Sequence, residues 1–232
     1  IIEKYQFPPF AKALTIDEQK KGLILAKNRG HFLCPITPGA FIPRKGQWLE
    51  LYENCIADCQ YCFLQCHISH AIPVFFVNIE DFYKELSAIK DKEYVYTGEL
   101  GDSFGWDPVV PAVQTIYDAA VRFNHIKFEL RSKRKAPYSL LELEPIDNLI
   151  VSWTLTPEYS FTHYEKRVSP PRLRIRSARQ CAEKGFNVAF HFDPFLFVPD
   201  WKMEYERLVE DIFANIREDK LNYVSIGSFR FT

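Results

Sequence analysis

The sequence predicts an α/β fold, a partial (βα)6 barrel behind a short N-terminal extension. Three observations carry that expectation. From Gln47 onward, strand-like and helix-like stretches alternate, as parallel βα units require. Several of the strand-like runs are apolar on both faces, Val188-Ala189-Phe190 for one, as strands buried between layers are. A cysteine-rich loop directly follows the first strand-like run, at the strand end where barrels carry their chemistry.

Residues 1–46 read as the extension and 47–232 as the barrel. The extension holds Pro8-Pro9, a short polar helix over about 16–26, and the loop Cys34-Pro35-Ile36-Thr37-Pro38-Gly39. Cys34 reads as a buried, inert thiol sooner than as a reactive one. Strands are expected at 48–53, 74–77, 93–98, 126–131, 149–155, 187–192 and 221–226, rich in Val, Ile, Phe and Tyr. Helices are expected at 79–90, 109–123, 170–184 and 202–218. The third opens with Ser169-Pro170-Pro171, a cap followed by proline in the first turn, and stops at Lys184-Gly185. Trp153, Phe190 and Phe192 alternate with polar neighbours as core residues do. No internal repeat is present.

At 232 residues the chain is long enough for one large domain, and 47% hydrophobic with 16% aromatic residues excludes a disordered chain. No apolar run reaches transmembrane length, and the start shows no secretory pattern, so no membrane partner is expected. Six cysteines, three of them clustered, suit metal ligation in a reducing compartment, hence the cytoplasm. The net charge of -1 provides no global field for nucleic acid. Two local basic blocks stand out: Arg131-Ser132-Lys133-Arg134-Lys135, and Lys166-Arg167 leading to Arg172, Arg174, Arg176 and Arg179. Arg172, Arg176 and Arg179 fall on one helical face, which reads as solvated.

The chemistry concentrates in Asn54-Cys55-Ile56-Ala57-Asp58-Cys59-Gln60-Tyr61-Cys62-Phe63-Leu64-Gln65. Cys55, Cys59 and Cys62 form a C-x3-C-x2-C run, and soft thiolates at such spacing hold iron-sulfur clusters. Three thiolates fill three irons of a cubane, which leaves the fourth open to a small molecule. Two other readings stand beside this one. Zinc would want paired C-x2-C knuckles, which are lacking. Cys66 would turn Cys59-x2-Cys62-x3-Cys66 into part of a ferredoxin-type run, a closed cluster without chemistry of its own. His67 and His70 follow closely and read as part of a helix after the loop rather than as ligands.

The open-iron reading resembles the radical S-adenosylmethionine (SAM) enzymes, in which SAM chelates the free iron of a [4Fe-4S] cluster. An electron then cleaves SAM to a 5'-deoxyadenosyl radical that abstracts hydrogen from a substrate. Thr97-Gly98-Glu99, one strand on, resembles the Gly-Gly-Glu element that holds SAM's amino group in that class. Glycine there admits close backbone approach, and a carboxylate accepts from an ammonium. The likeness narrows at Tyr61-Cys62-Phe63-Leu64-Gln65, which is similar to the Tyr-Cys-Tyr-Leu-Gln run of spore photoproduct lyases, radical SAM enzymes that split a thymine dimer in DNA. It continues through Phe76-Val77-Asn78-Ile79-Glu80-Asp81, Asp102 with Gly105-Trp106-Asp107, and Ser132-Lys133. His163-Tyr164-Glu165, the helix from Ser177 to Phe186, and Phe229-Arg230-Phe231-Thr232 complete it. The resemblance implies a radical SAM partial barrel with Cys55, Cys59 and Cys62 on the cluster. It implies Tyr61, Gly98, Glu99, Asp102, Ser132, Lys133 and Thr154 at SAM, with Glu99 and Tyr61 the catalytic candidates.

Two departures bear on the substrate. Glu99 stands where the lyases carry a hydrogen-donating cysteine, and Phe63 lacks the hydroxyl of the tyrosine it replaces. A carboxylate does not return a hydrogen atom as a thiol does. The leading expectation is therefore a peptide or protein substrate, as in natural-product maturation, with a reductant such as flavodoxin or ferredoxin and a separate substrate-delivery subunit as partners. DNA photoproduct repair, with Cys34 or Cys66 as the hydrogen donor, is the alternative. A four-cysteine cluster protein without enzymatic activity is the third. Asp193-Pro194 is expected at the substrate mouth, with Glu129 and Arg131 near SAM.

Overall fold

The computed structural model describes residues 13–36, 46–67, 69–107 and 109–229. Pro8-Pro9, the Thr37-Pro38-Gly39 end of the proline-rich loop and Arg230-Phe231-Thr232 lie outside the described residues. The chain enters with α1 (Ile16–Gln19), β1 (Ile24–Ala26) and β2 (Leu33–Pro35). β3 (Gly46–Leu49) and β4 (Tyr52–Glu53) precede the cysteine loop, α2 (Leu64–His67) and β5 (Val74–Phe76). Alternation follows: α3 (Ile79–Ala88), β6 (Tyr94–Tyr96), α4 (Ala112–Arg122), β7 (Lys127–Ser132), α5 (Tyr138–Glu142) and β8 (Leu149–Thr154). The last elements are α6 (Glu158–Tyr164), α7 (Pro171–Lys184), β9 (Asn187–Phe195), α8 (Trp201–Asn215) and β10 (Leu221–Ser228).

β3, β6, β7, β8, β9 and β10 lie side by side in that order, each adjacent pair parallel, and β2 adds an antiparallel edge to β3. Parallel neighbours need a crossover, and the intervening helices supply it. Among the described residues no pairing joins β10 to β2, so the sheet is an open, partial barrel. All six residues of β8 are buried, as a central strand covered on both faces must be.

Four expectations about elements need correction. The stretch 74–77 is a strand, but β5 pairs with β1 and β4 in a separate three-stranded sheet. The run 48–53 breaks at Glu50: β3 continues the main sheet, while β4 crosses to β5 and takes it out of the barrel. The helix expected over 16–26 stops after one turn, because Lys20-Lys21-Gly22 ends it and Ile24–Ala26 finds a parallel partner in β5. His70 lies beyond α2 in irregular chain, buried against Asn54.

The start of α7 differs in detail. Pro170 takes the cap position, and the Ser169 hydroxyl accepts from the Lys135 N–H at 2.8 Å instead. Gly185 ends the helix at φ 119°, a left-handed position that glycine adopts without cost. Arg172, Arg176 and Arg179 are exposed as expected, whereas Arg174 is fully buried. Trp153, Phe190 and Phe192 belong to the core, together with Phe32, Phe76, Phe82 and Phe128.

Candidate active site

The cysteine loop is shaped by its anchors. Asn54 turns the chain at φ 64°, and its amide donates to Ile72 O at 2.9 Å. Asparagine tolerates this left-handed conformation better than most residues. The Gln60 N–H donates to Tyr164 O at 2.8 Å, and the Asp58 N–H to Lys166 O at 3.3 Å, which lays the loop along the segment after α6. Gln65 Nε2 donates to Cys59 O at 2.7 Å. Cys55, Cys59 and Cys62 then face one cavity.

The same cavity is lined by Tyr61 from the loop, Gly98, Glu99 and Asp102 after β6, Ser132 and Lys133 at the end of β7, and Thr154 at the end of β8. All ten residues singled out from the sequence thus meet at the C-terminal ends of the parallel strands, where such sheets place their ligands. Arg131, Asp193 and Pro194 also line the cavity, with Arg131 3.6 Å from Asp193. Neither Cys34 nor Cys66 lines it; Cys34 sits on β2, and Cys66 is exposed on α2.

Gly98 has φ 84°, and a Cβ there would come within 3.0 Å of Arg131 Cβ. Only glycine lets the backbone pass this close to β7. Thr97, the other half of the expected Gly-Gly pair, is committed to the frame. Its hydroxyl donates to Glu129 O at 2.7 Å and lies 2.6 Å from Ser103 Oγ, which Tyr52 OH also reaches at 2.8 Å. Asp102 acts the same way. Its carboxylate accepts from Ser132 Oγ at 2.7 Å, Lys133 N–H at 2.8 Å and Phe104 N–H at 2.9 Å, so it locks the β7 end to the loop after β6.

Under the cysteine loop lies a buried ionic network that the sequence reading did not assemble. Glu165 pairs with Lys133 at 2.8 Å and with Arg174, and it accepts from Tyr61 OH and from Thr156 Oγ1 at 3.0 Å. Lys133 Nζ also donates to Tyr61 OH and lies 4.6 Å from its ring centroid. Burial works to raise the Glu165 carboxyl, but the charges of Lys133 and Arg174 and the bonds it accepts hold it well below the usual carboxylate range. Burial likewise pushes the Tyr61 hydroxyl well up, aided by the Glu165 charge. The cavity wall carries the cations Arg131 and Lys133 and the carboxylates Glu99, Asp102 and Asp193, so it offers an anchor for either sign of charge. Helical spacing carried a signal for Arg174, since it falls off the face shared by Arg172, Arg176 and Arg179. Glu165 carried none beyond its place in His163-Tyr164-Glu165.

Burial raises the Cys55 thiol well above its ordinary value, with the Asp102 charge adding to it, and brings Cys59 to about 11. A bound metal reverses that preference, because a coordinating thiol loses its proton. Among the described residues no three His, Cys, Asp or Glu side chains gather as a single-ion site needs. Three thiols lining one cavity fit a multi-iron cluster in kind. Glu129, expected near SAM, does not line the cavity. It lies deeper, accepting from Ser152 Oγ at 2.6 Å and from Tyr223 OH, with His191 Nε2 at 2.7 Å.

Residues 43–232 match the family model described as spore photoproduct lyase. The chain belongs to the spore photoproduct lyase family. With the family comes the radical SAM class, whose cofactors are a [4Fe-4S] cluster and SAM. The chain is 23% identical over 196 residues to a spore photoproduct lyase of Clostridium acetobutylicum, covering 82% of this chain and 58% of that one. It is 18% identical over 170 residues to one from a Geobacillus species, covering 71% and 50%. The chain therefore spans roughly half of the length of these relatives. A solved spore photoproduct lyase complexed with dinucleoside spore photoproduct superposes with TM-score 0.82 at 18% identity, over 100% of this chain and 68% of that one. Streptococcus suis SuiB bound to precursor peptide SuiA superposes with TM-score 0.56 at 15% identity, over 76% and 37%. At these identities the superpositions establish the fold.

Proposed function

We propose that this chain is a radical SAM enzyme acting on a thymine photoproduct in DNA. The observation that carries the radical SAM part is the cavity itself, on which the three cysteines and the seven further residues converge from separate strand ends. The named substrates of the relatives support DNA over the peptide substrate expected first from the sequence. In this reading Cys55, Cys59 and Cys62 hold the cluster, and Gly98 and Glu99 receive SAM's amino group. Lys133 receives SAM's carboxylate, and Ser132 and Thr154 stand beside it. When bound, the cluster and SAM supply one-electron cleavage and hydrogen abstraction.

The protein's own part is to orient and to hold charge. Asp102 fixes the backbone of Lys133, and Glu165 holds the Lys133 ammonium and the Tyr61 hydroxyl on the cavity wall. The catalytic unit is 47–232, with 1–46 an extension, and the setting is the cytoplasm with flavodoxin or ferredoxin as reductant. Among the described residues no helix is long and apolar enough to cross a membrane.

A second reading keeps the peptide substrate and its delivery subunit. Glu99 on the cavity wall favours it, because a carboxylate there offers no hydrogen atom to a repaired dimer. The test is anaerobic reconstitution with iron and sulfide, reduction with SAM, and assay of 5'-deoxyadenosine and thymine products. Conversion of dinucleoside spore photoproduct to thymidines supports the first reading. Nucleoside release stimulated by peptides but not by the dinucleoside moves the assignment to the second. A fully loaded cluster that yields no nucleoside under any condition overturns both.

A further inference from the structure

The cysteine loop divides two cavities. One is the site above; the other is lined by the same Cys55, Cys59 and Cys62 together with Ile16, Gln19 and Lys20 of the N-terminal segment and Ser69, His70 and Ala71. Lys20 is the cation of that second wall. Its Nζ donates to Cys55 O at 2.8 Å and to Ala57 O at 2.6 Å, two carbonyls within the ligand loop. The match to the family model begins at residue 43, so Lys20 lies outside the matched residues.

The segment is built to hold the lysine there. Thr15 and Glu18 form a capping box on α1. Gln19 Oε1 accepts from Ala71 N–H at 2.8 Å, which pins α1 to the chain beyond α2, and Asp17 pairs with Arg167. The other charged group on that wall is Asp58, which lies 3.8 Å from Lys166. Lys20 thus sets a positive charge behind the three cysteines, on the side away from Lys133.

We propose that Lys20 is a positioning residue for the cluster: it fixes the ligand loop through its two carbonyls and makes the cluster easier to reduce. The inference rests on the cysteine loop being the cluster site. Each electron added makes the cluster more negative, so a nearby cation favours the reduced form, and net charge is among the quantities that set such potentials. It also makes residues 16–20 part of the redox site.

The test uses the full chain, reconstituted anaerobically without SAM. Iron and sulfide per chain and the midpoint potential from an EPR-monitored titration are measured for wild type, Lys20→Gln, Lys20→Arg and Lys21→Gln. The expected result is a more negative midpoint in Lys20→Gln, a midpoint near wild type in Lys20→Arg, and no change in Lys21→Gln, whose lysine pairs with Asp17 at the surface. Incomplete loading of a folded Lys20→Gln chain supports the pinning role as well. A wild-type midpoint with full loading in Lys20→Gln overturns the proposal, as does an equal shift in Lys20→Arg. A Lys20→Gln chain that unfolds without its cluster also counts against it, because Lys20 would then serve the fold. Failure of the wild-type chain to take up any cluster would instead strike the cysteine-loop reading.

Discussion

Glu165→Ala takes from Lys133 and Arg174 the carboxylate that pairs with both under the cysteine loop, and both the stability and the site should register it. The Glu165 and Arg174 side chains have 0% exposure and Lys133 has 16%, so solvent cannot replace the missing carboxylate. Removing one partner of a buried ion pair costs about 3–5 kcal/mol. For a chain of this size a urea m-value of about 3 kcal/mol per molar applies, so the midpoint should fall by more than about 1 M. Glu165→Gln keeps an acceptor for Tyr61 but removes the charge, and should fall between wild type and alanine. The assay is urea denaturation of cluster-free protein followed by far-ultraviolet circular dichroism, repeated across pH. Because the folded Glu165 carboxyl lies below its ordinary 4.5, its contribution is fully present above about 4.5 and is lost as pH falls toward the folded value. Wild type should therefore lose stability below about pH 4.5 more steeply than Glu165→Gln. A shift below about 0.3 M for Glu165→Ala, with parallel pH profiles, would refute the reasoning, since a surface pair gives that little.

Three further outcomes follow from the same geometry. Cys55→Ala, Cys59→Ala and Cys62→Ala should each abolish 5'-deoxyadenosine formation and the cluster absorbance, whereas Cys66→Ala, outside the cavity, should keep both. Gly98→Ala forces a side chain into a left-handed position against Arg131 and should destabilise by about 1–3 kcal/mol and weaken SAM binding, read by calorimetry on the loaded protein. Asp102→Ala frees two donors at the β7 end and the Phe104 N–H in the loop after β6; a loss of about 2 kcal/mol in urea, with SAM affinity reduced although Asp102 binds structure first, is the expected pattern.

Much of the fold and the site was legible because the signals are local. Cys55, Cys59 and Cys62 lie within eight residues of one another, so their spacing alone speaks for a cluster. β8 declared itself by Leu149-Ile150-Val151 and β9 by Val188-Ala189-Phe190, both apolar runs, and Lys184-Gly185 declared a helix end. That Gly98, Lys133 and Thr154 would share a cavity with the cysteines came from family resemblance, and no periodicity in the chain expresses it. The role of Glu165 was not legible, because nothing in His163-Tyr164-Glu165 says which cations it will meet.

The sequence by itself determined the ligand chemistry, the alternation of strands with helices and the family, since each is written in residues close together along the chain. Tertiary structure decided the rest. Which strands 48–53 and 74–77 join depends on which backbone donors and acceptors are left unpaired once the chain has folded, so β5 went to a side sheet. The joining of Lys133, Glu165, Arg174 and Tyr61, and of Lys20 to the carbonyls of Cys55 and Ala57, depends on which segments pack together. Those contacts arise because a buried charge must find a partner, however far along the chain that partner lies.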